Sequence, residues 1–212
     1  MRFGRKKDDQ AGPVDEFDDA AEGDDATEQA LPAGPRDVSE VDPVEGEYLD
    51  LGSLLLRPHV ESELRLQVDE ASGEVLAAML VGEDGMLEVR AFAAARGEDL
   101  WSDARKEIAA DAAQRGGTAT EQDGPFGPEL YCQLPVQLDD GTAGLQPSRV
   151  IGWNGPRWFV RAVLMGRPAM EPAQAADWED TIRRMVVRRG TEPLPPGQAL
   201  ALRLPPDAQQ VD

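Results

Sequence analysis

The sequence predicts an α+β protein: an antiparallel sheet with two packed helices, preceded by a disordered acidic tail. Three observations predict it. Short segments alternate apolar and polar residues and are separated by turn-forming glycines. Two longer segments carry apolar residues at helical spacing between start and stop signals. The first 47 residues have few core-forming side chains and a heavy excess of acids. The expected division is a tail over 1–47, a single α+β domain over 48–205 and a C-terminal tail over 206–212.

Charge defines the tail. The chain has 212 residues and a formal net charge of −20. Residues Met1 to Lys7 carry four bases and no acid, whereas Asp8 to Glu47 carry fifteen acids and one base, Arg36. Such a segment buries too little apolar surface to offset its ordering entropy, so it is read as a solvating or partner-binding tail. On average the chain repels nucleic acid and anionic lipid.

The domain opens at Leu49–Leu56. Leu64, Leu66 and Val68 alternate with Arg65 and Gln67 in a first strand, and Glu74–Val81 and Met86–Ala93 continue an antiparallel meander. A helix follows, with Glu98 and Asp99 at its start, Leu100, Trp101, Ala104, Ile108 and Ala112 on one face, and Gly116–Gly117 after it. Strands resume at Thr118–Gln122, Glu129–Leu138, Ser148–Trp153 and Arg157–Leu164. Asn154–Gly155 is the strongest hairpin signal in the chain. The second helix is predicted over Pro172–Val187, burying Trp178, Ile182, Met185 and Val186, and a short strand over Ala199–Leu204 ends the domain. The order is therefore strands, helix, strands, helix, strand. Trp101, Trp158 and Trp178 lie on apolar stripes and are expected to be buried; Trp153 is expected to be more exposed.

The stretches LGSLLLRP (Leu51–Pro58), LRLQVDEASGEV (Leu64–Val75), GPFG (Gly124–Gly127), QPSRVIG (Gln146–Gly152), GPRWFVRAVLMG (Gly155–Gly166) and RGTEP (Arg189–Pro193) occur in this order. Together they resemble an actinobacterial family known only as a domain of unknown function, from Leu49 to Pro205. The resemblance implies no activity, no cofactor and no catalytic residue.

The residues themselves carry no recognised catalytic pattern. His59, the only histidine, sits beside Pro58, and no partner for it can be identified in the sequence. Cys132, the only cysteine, excludes an intramolecular disulfide and reads as a small buried hydrophobe. No metal-ligand spacing, phosphate loop or membrane-spanning run is present. The basic start is followed by Asp8 and Asp9 rather than an apolar stretch, so it does not read as a signal peptide. The expectation is a cytoplasmic protein without cofactor or metal.

One feature opposes the overall charge. From Arg149 to Arg189 there are eight arginines, no lysine and four acids. In the strand Arg157–Leu164, Trp158, Val160, Ala162 and Leu164 fall on a core face, and Arg157, Phe159, Arg161 and Val163 on the other. Arginines beside an aromatic bind phosphate or stack on a base. Arg149, Arg157, Phe159, Arg161 and Arg167 are therefore the candidate residues for an anionic or protein partner. The competing reading pairs these arginines with acids on neighbouring elements. The expected function is a non-catalytic binding or adaptor protein, set against an enzyme with a dispersed site or an accessory protein of nucleic-acid metabolism.

Overall fold

A computed structural model describes residues 33–42, 48–58, 61–71, 73–138 and 140–204. It is a mixed α+β structure with mostly antiparallel sheets and three α-helices. The expectations for most of the acidic tail, for His59 and for the tail after residue 205 lie outside the described residues.

Seven strands form the main sheet: β4 (Glu63–Val68), β5 (Val75–Val81), β6 (Gly85–Ala93), β7 (Thr118–Gly124), β8 (Gly127–Gln137), β9 (Ala143–Asn154) and β10 (Trp158–Gly166). Their spatial order is β4-β5-β6-β10-β9-β8-β7, and every pair is antiparallel. The first meander ends at β6. Helix α1 (Leu100–Gln114) then carries the chain to the far edge, and the second meander walks back until β10 pairs with β6 from Trp158↔Ala93 to Gly166↔Gly85. A smaller sheet, in the order β1-β11-β3-β2, is built from β1 (Arg36–Asp37), β2 (Leu49–Asp50), β3 (Leu54–Leu56) and β11 (Val186–Val187).

Each face of the main sheet has its own core. On one face Leu80, Leu87, Val89, Trp158, Val160, Ala162 and Leu164 pack with Leu54 and Leu56 of the small sheet and with Trp178 and Ile182 of helix α3 (Pro172–Arg183). On the other face Leu130, Cys132, Val150 and Phe159 meet Trp101 of α1, with Leu100, Ala104 and Ile108 packed around them. Trp101, Trp158 and Trp178 are all buried, while Trp153 is only partly so. The approach of α1 is close enough to require Gly152 on β9: a Cβ there would lie 2.2 Å from the Trp101 ring.

The α1 limits follow their signals. Asp99 accepts the Ser102 backbone N–H at 3.1 Å, and the amides of Gly116 and Gly117 return to Ala113 and Ala112 at 3.0 and 2.8 Å.

The structure corrects or refines four expectations. The domain starts before Tyr48: Arg36–Asp37 pairs in parallel with Val186–Val187, and Asp37 caps a 3₁₀ turn over Val38–Glu40. The second helix stops at Arg183, because Val186 and Val187, β-branched and fully buried, join the small sheet instead. A separate short helix, α2 (Arg167–Met170), precedes it. The Asn154–Gly155 signal does mark the β9–β10 hairpin, although its loop is longer than two residues, since the next residue, Pro156, has no N–H to close a two-residue turn. Asn154 pairs with Phe159 across a wider loop, and its side chain turns to the start of α1, donating to Asp99 at 2.7 Å. Finally, Ala199–Leu204 is not a continuous strand. Ala199 bridges Phe92, and Leu202 bridges Gly52 and Val75. These contacts arise because β5 pairs with β6 only up to Ala78↔Val89, leaving the end of β6 open; there Leu200 donates to Ala91 at 2.8 Å.

Candidate anion-binding groove

The five residues singled out in the sequence do not share a surface. Arg149 is 3% exposed, and its guanidinium is held by two carboxylates. Nε and Nη2 donate to Glu129, a fully buried residue of the neighbouring strand, and Nη1 lies 2.7 Å from Glu179 of α3. Burial alone would lower the pKa of Arg149, but Glu129 and Glu179 outweigh it and raise it above the ordinary arginine value. Glu179 continues to Arg183 at 3.3 Å, whose guanidinium lies 5.0 Å from the centre of the Phe126 ring. This is an ion-pair chain whose outer end, Arg183, is packed against Phe126 of the Gly124–Gly127 turn.

Phe159 is 4% exposed and sits between Phe92 and Trp101, with ring centroids 5.8 and 6.0 Å away. The aromatic half of the expected Arg-aromatic face is therefore core, because α1 covers it. Arg161 stands directly opposite Arg90, and Glu88 lies between the two like charges, 2.9 Å from Arg90 and 3.6 Å from Arg161. Desolvation and the Arg90 charge press the Arg161 pKa downward, with Glu88 opposing them. Arg167 is exposed on α2 and pairs with Asp84 and Glu171 at 3.4 and 3.5 Å. Three of the four arginines thus pair with acids on neighbouring elements or turns.

Arg157 is different. It is exposed, and it lines an open groove together with Arg96 and Arg189. The sheet register creates this meeting. Trp158↔Ala93 is the last pair of β6 and β10, so Ala94 accepts the chain beyond it, its amide donating to the Arg157 carbonyl at 3.0 Å. That puts the loop after β6, which carries Arg96, beside the loop before β10, which carries Arg157. Arg189 follows β11. The opposite wall is Pro193–Pro196, fixed where Gly197 donates to the Ala93 carbonyl and Ala93 to Gln198, each at 2.8 Å.

The groove encloses about 530 Å³, and no acidic side chain lines it among the described residues. Neither Arg96 nor Arg157 has an ion pair among the described residues. Arg189 donates Nη1 to the Glu192 carbonyl at 3.1 Å, and its Nε is buried without a hydrogen-bond partner. Sequence reasoning found Arg157 and included Arg189 in the basic stretch, but it missed Arg96. Only the β6–β10 register, across the α1 crossover, could have found it.

A larger concavity of about 760 Å³ lies on the α3 side, lined by Glu61, Asp84, Asp177, Asp180 and Trp178. Two of its acids are held in ion pairs: Arg184 meets Asp180 at 2.8 Å and Arg167 meets Asp84 at 3.4 Å. Among the described residues, no three His, Cys, Asp or Glu side chains are grouped to hold a metal. None of the helices described is long and apolar enough to cross a membrane.

The fold and groove define a mixed α+β protein that carries one cationic groove on an acidic chain. The chain belongs to the family described as "Protein of unknown function (DUF3710)", whose model matches residues 34–211. The match begins two residues before β1. No curated protein matches the chain.

Proposed function

We propose that the protein is a non-catalytic binding or adaptor protein that engages an anionic partner through Arg96, Arg157 and Arg189. The observation that carries this reading is the missing counter-charge. The chain holds 41 acids against 21 lysines and arginines, yet these three guanidiniums line one groove without a carboxylate among the described residues. Elsewhere Arg149, Arg161, Arg167, Arg183, Arg184 and Arg188 each have an acidic neighbour. A guanidinium whose donors are left for water is poised to exchange that water for phosphate or carboxylate oxygens. A cytoplasmic location belongs to the same reading, with the single cysteine free and buried.

The test is calorimetric titration of the full-length chain with tripolyphosphate at low salt. Binding is expected, and the Arg96→Ala/Arg157→Ala/Arg189→Ala variant should lose it while unfolding at a similar temperature. Equal heats from both proteins would overturn the reading.

A further inference from the structure

Resting on that reading, we infer that the groove recognises a phosphorylated segment of a protein partner. The ligand chemistry follows from what lines it. All three cations are arginines, which fork onto phosphate oxygens in a bidentate fashion that lysine does not reproduce. One dianionic phosphate has acceptors enough for several such donors.

The walls argue for a peptide as its carrier. Ala94, Ala95, Leu194 and the flanking prolines offer apolar contact on either side of the charges, suited to the residues next to a phosphorylated side chain. Among the described residues no aromatic side chain lines the groove, so a single-stranded nucleic acid would find no surface there on which to stack its bases. A long polyphosphate backbone would also meet the repulsion of a chain at −20, whereas a peptide with one phosphate group meets much less of it.

The experiment is capture of a degenerate phosphoserine peptide library by the full-length protein, beside the same library after phosphatase treatment and a poly-thymidine single strand. The phosphorylated library should be retained roughly tenfold better than the treated one, the scale of one charge-assisted hydrogen-bond contact. Arg157→Ala and Arg96→Ala should each remove most of that preference, Arg157→Lys should restore it only in part, and Arg167→Ala, outside the groove, should leave it intact. Equal retention of both libraries, with tripolyphosphate still bound, overturns the peptide assignment and leaves the anionic reading of the groove standing. Preferential capture of poly-thymidine, lost in the same variants, overturns it in favour of nucleic acid. Failure to bind any of these anions overturns both.

Discussion

Asp37 accepts the indole N–H of Trp158 at 2.8 Å, joining the start of the described chain to the centre of the main sheet. Its other oxygen takes the Ser39 amide and hydroxyl at 3.0 and 2.6 Å. Burial pulls the Asp37 pKa upward, but the bonds from Ser39 and Trp158 to the ionised form outweigh it and hold it below the ordinary aspartate value. A depressed carboxylate stabilises the fold above its unfolded pKa and ceases to do so as pH falls through the lowered value. Asp37→Ala is therefore expected to cost about 1–2 kcal/mol at neutral pH in urea unfolding, with the gap from the parent closing in strong acid. A gap unchanged by acid would show that the loss is not that of the ionised carboxylate. Trimming residues 1–47 should cost more than Asp37→Ala, because it also removes β1 from the small sheet.

Arg149 and Glu129 make the second prediction. Removing the guanidinium leaves a fully buried carboxylate with no countercharge on its own side, so Arg149→Ala should cost about 3–5 kcal/mol. The double variant Arg149→Met/Glu129→Leu should recover most of that loss, since apolar residues of similar size need no partner. Urea unfolding of the two variants decides it. If the double variant is no better than the single, the ion pair is not the source of the effect.

These two relationships mark how far the sequence could be read. Helix α1 and the strands of both meanders were legible because a single local period fixes them, and the tryptophan stripe of β10 pointed to the core as its alternation required. The other stripe of β10 was ambiguous for a physical reason. Arg157, Phe159, Arg161 and Val163 alternate in the same way whether that face meets solvent or a second layer, and α1 supplies the layer at Phe159. Arg149 was misplaced because its partners lie on β8 and α3, neither close in sequence. The parallel pairing of Arg36–Asp37 with Val186–Val187 joins opposite ends of the domain, and two-residue strands leave no periodicity to detect. The groove depends on one register, Trp158↔Ala93, which no local pattern encodes.

Cys132 gives a third expectation. It lies 4% exposed beneath α1, and desolvation raises its thiol pKa above the ordinary cysteine value. The native protein should react with a thiol-specific reagent at neutral pH far more slowly than the protein in denaturant, by at least about a hundredfold, because both access and thiolate fraction are reduced. Rapid labelling of the folded protein would mean that α1 lifts from the sheet readily.

The last expectation concerns charge carried elsewhere on the chain. Between Asp8 and Glu28 there are ten acids and no base, while the groove at Arg96, Arg157 and Arg189 holds three cations and, among the described residues, no acid. An acidic segment on the same chain is expected to compete with an external anion for those guanidiniums, because binding within one chain needs no loss of translational freedom. Contacts between exposed charges are individually weak and are screened beyond about 8–10 Å at ordinary ionic strength, so the competition should be partial and should fade with salt. Removing residues 1–30 leaves β1 in place and is expected to tighten tripolyphosphate binding severalfold at low salt, with the gain vanishing above roughly 0.3 M. Arg96→Ala/Arg157→Ala in the shortened chain should abolish the gain at every salt concentration. A gain that survives high salt, or one that persists without the arginines, would place the effect of the acidic segment somewhere other than the groove.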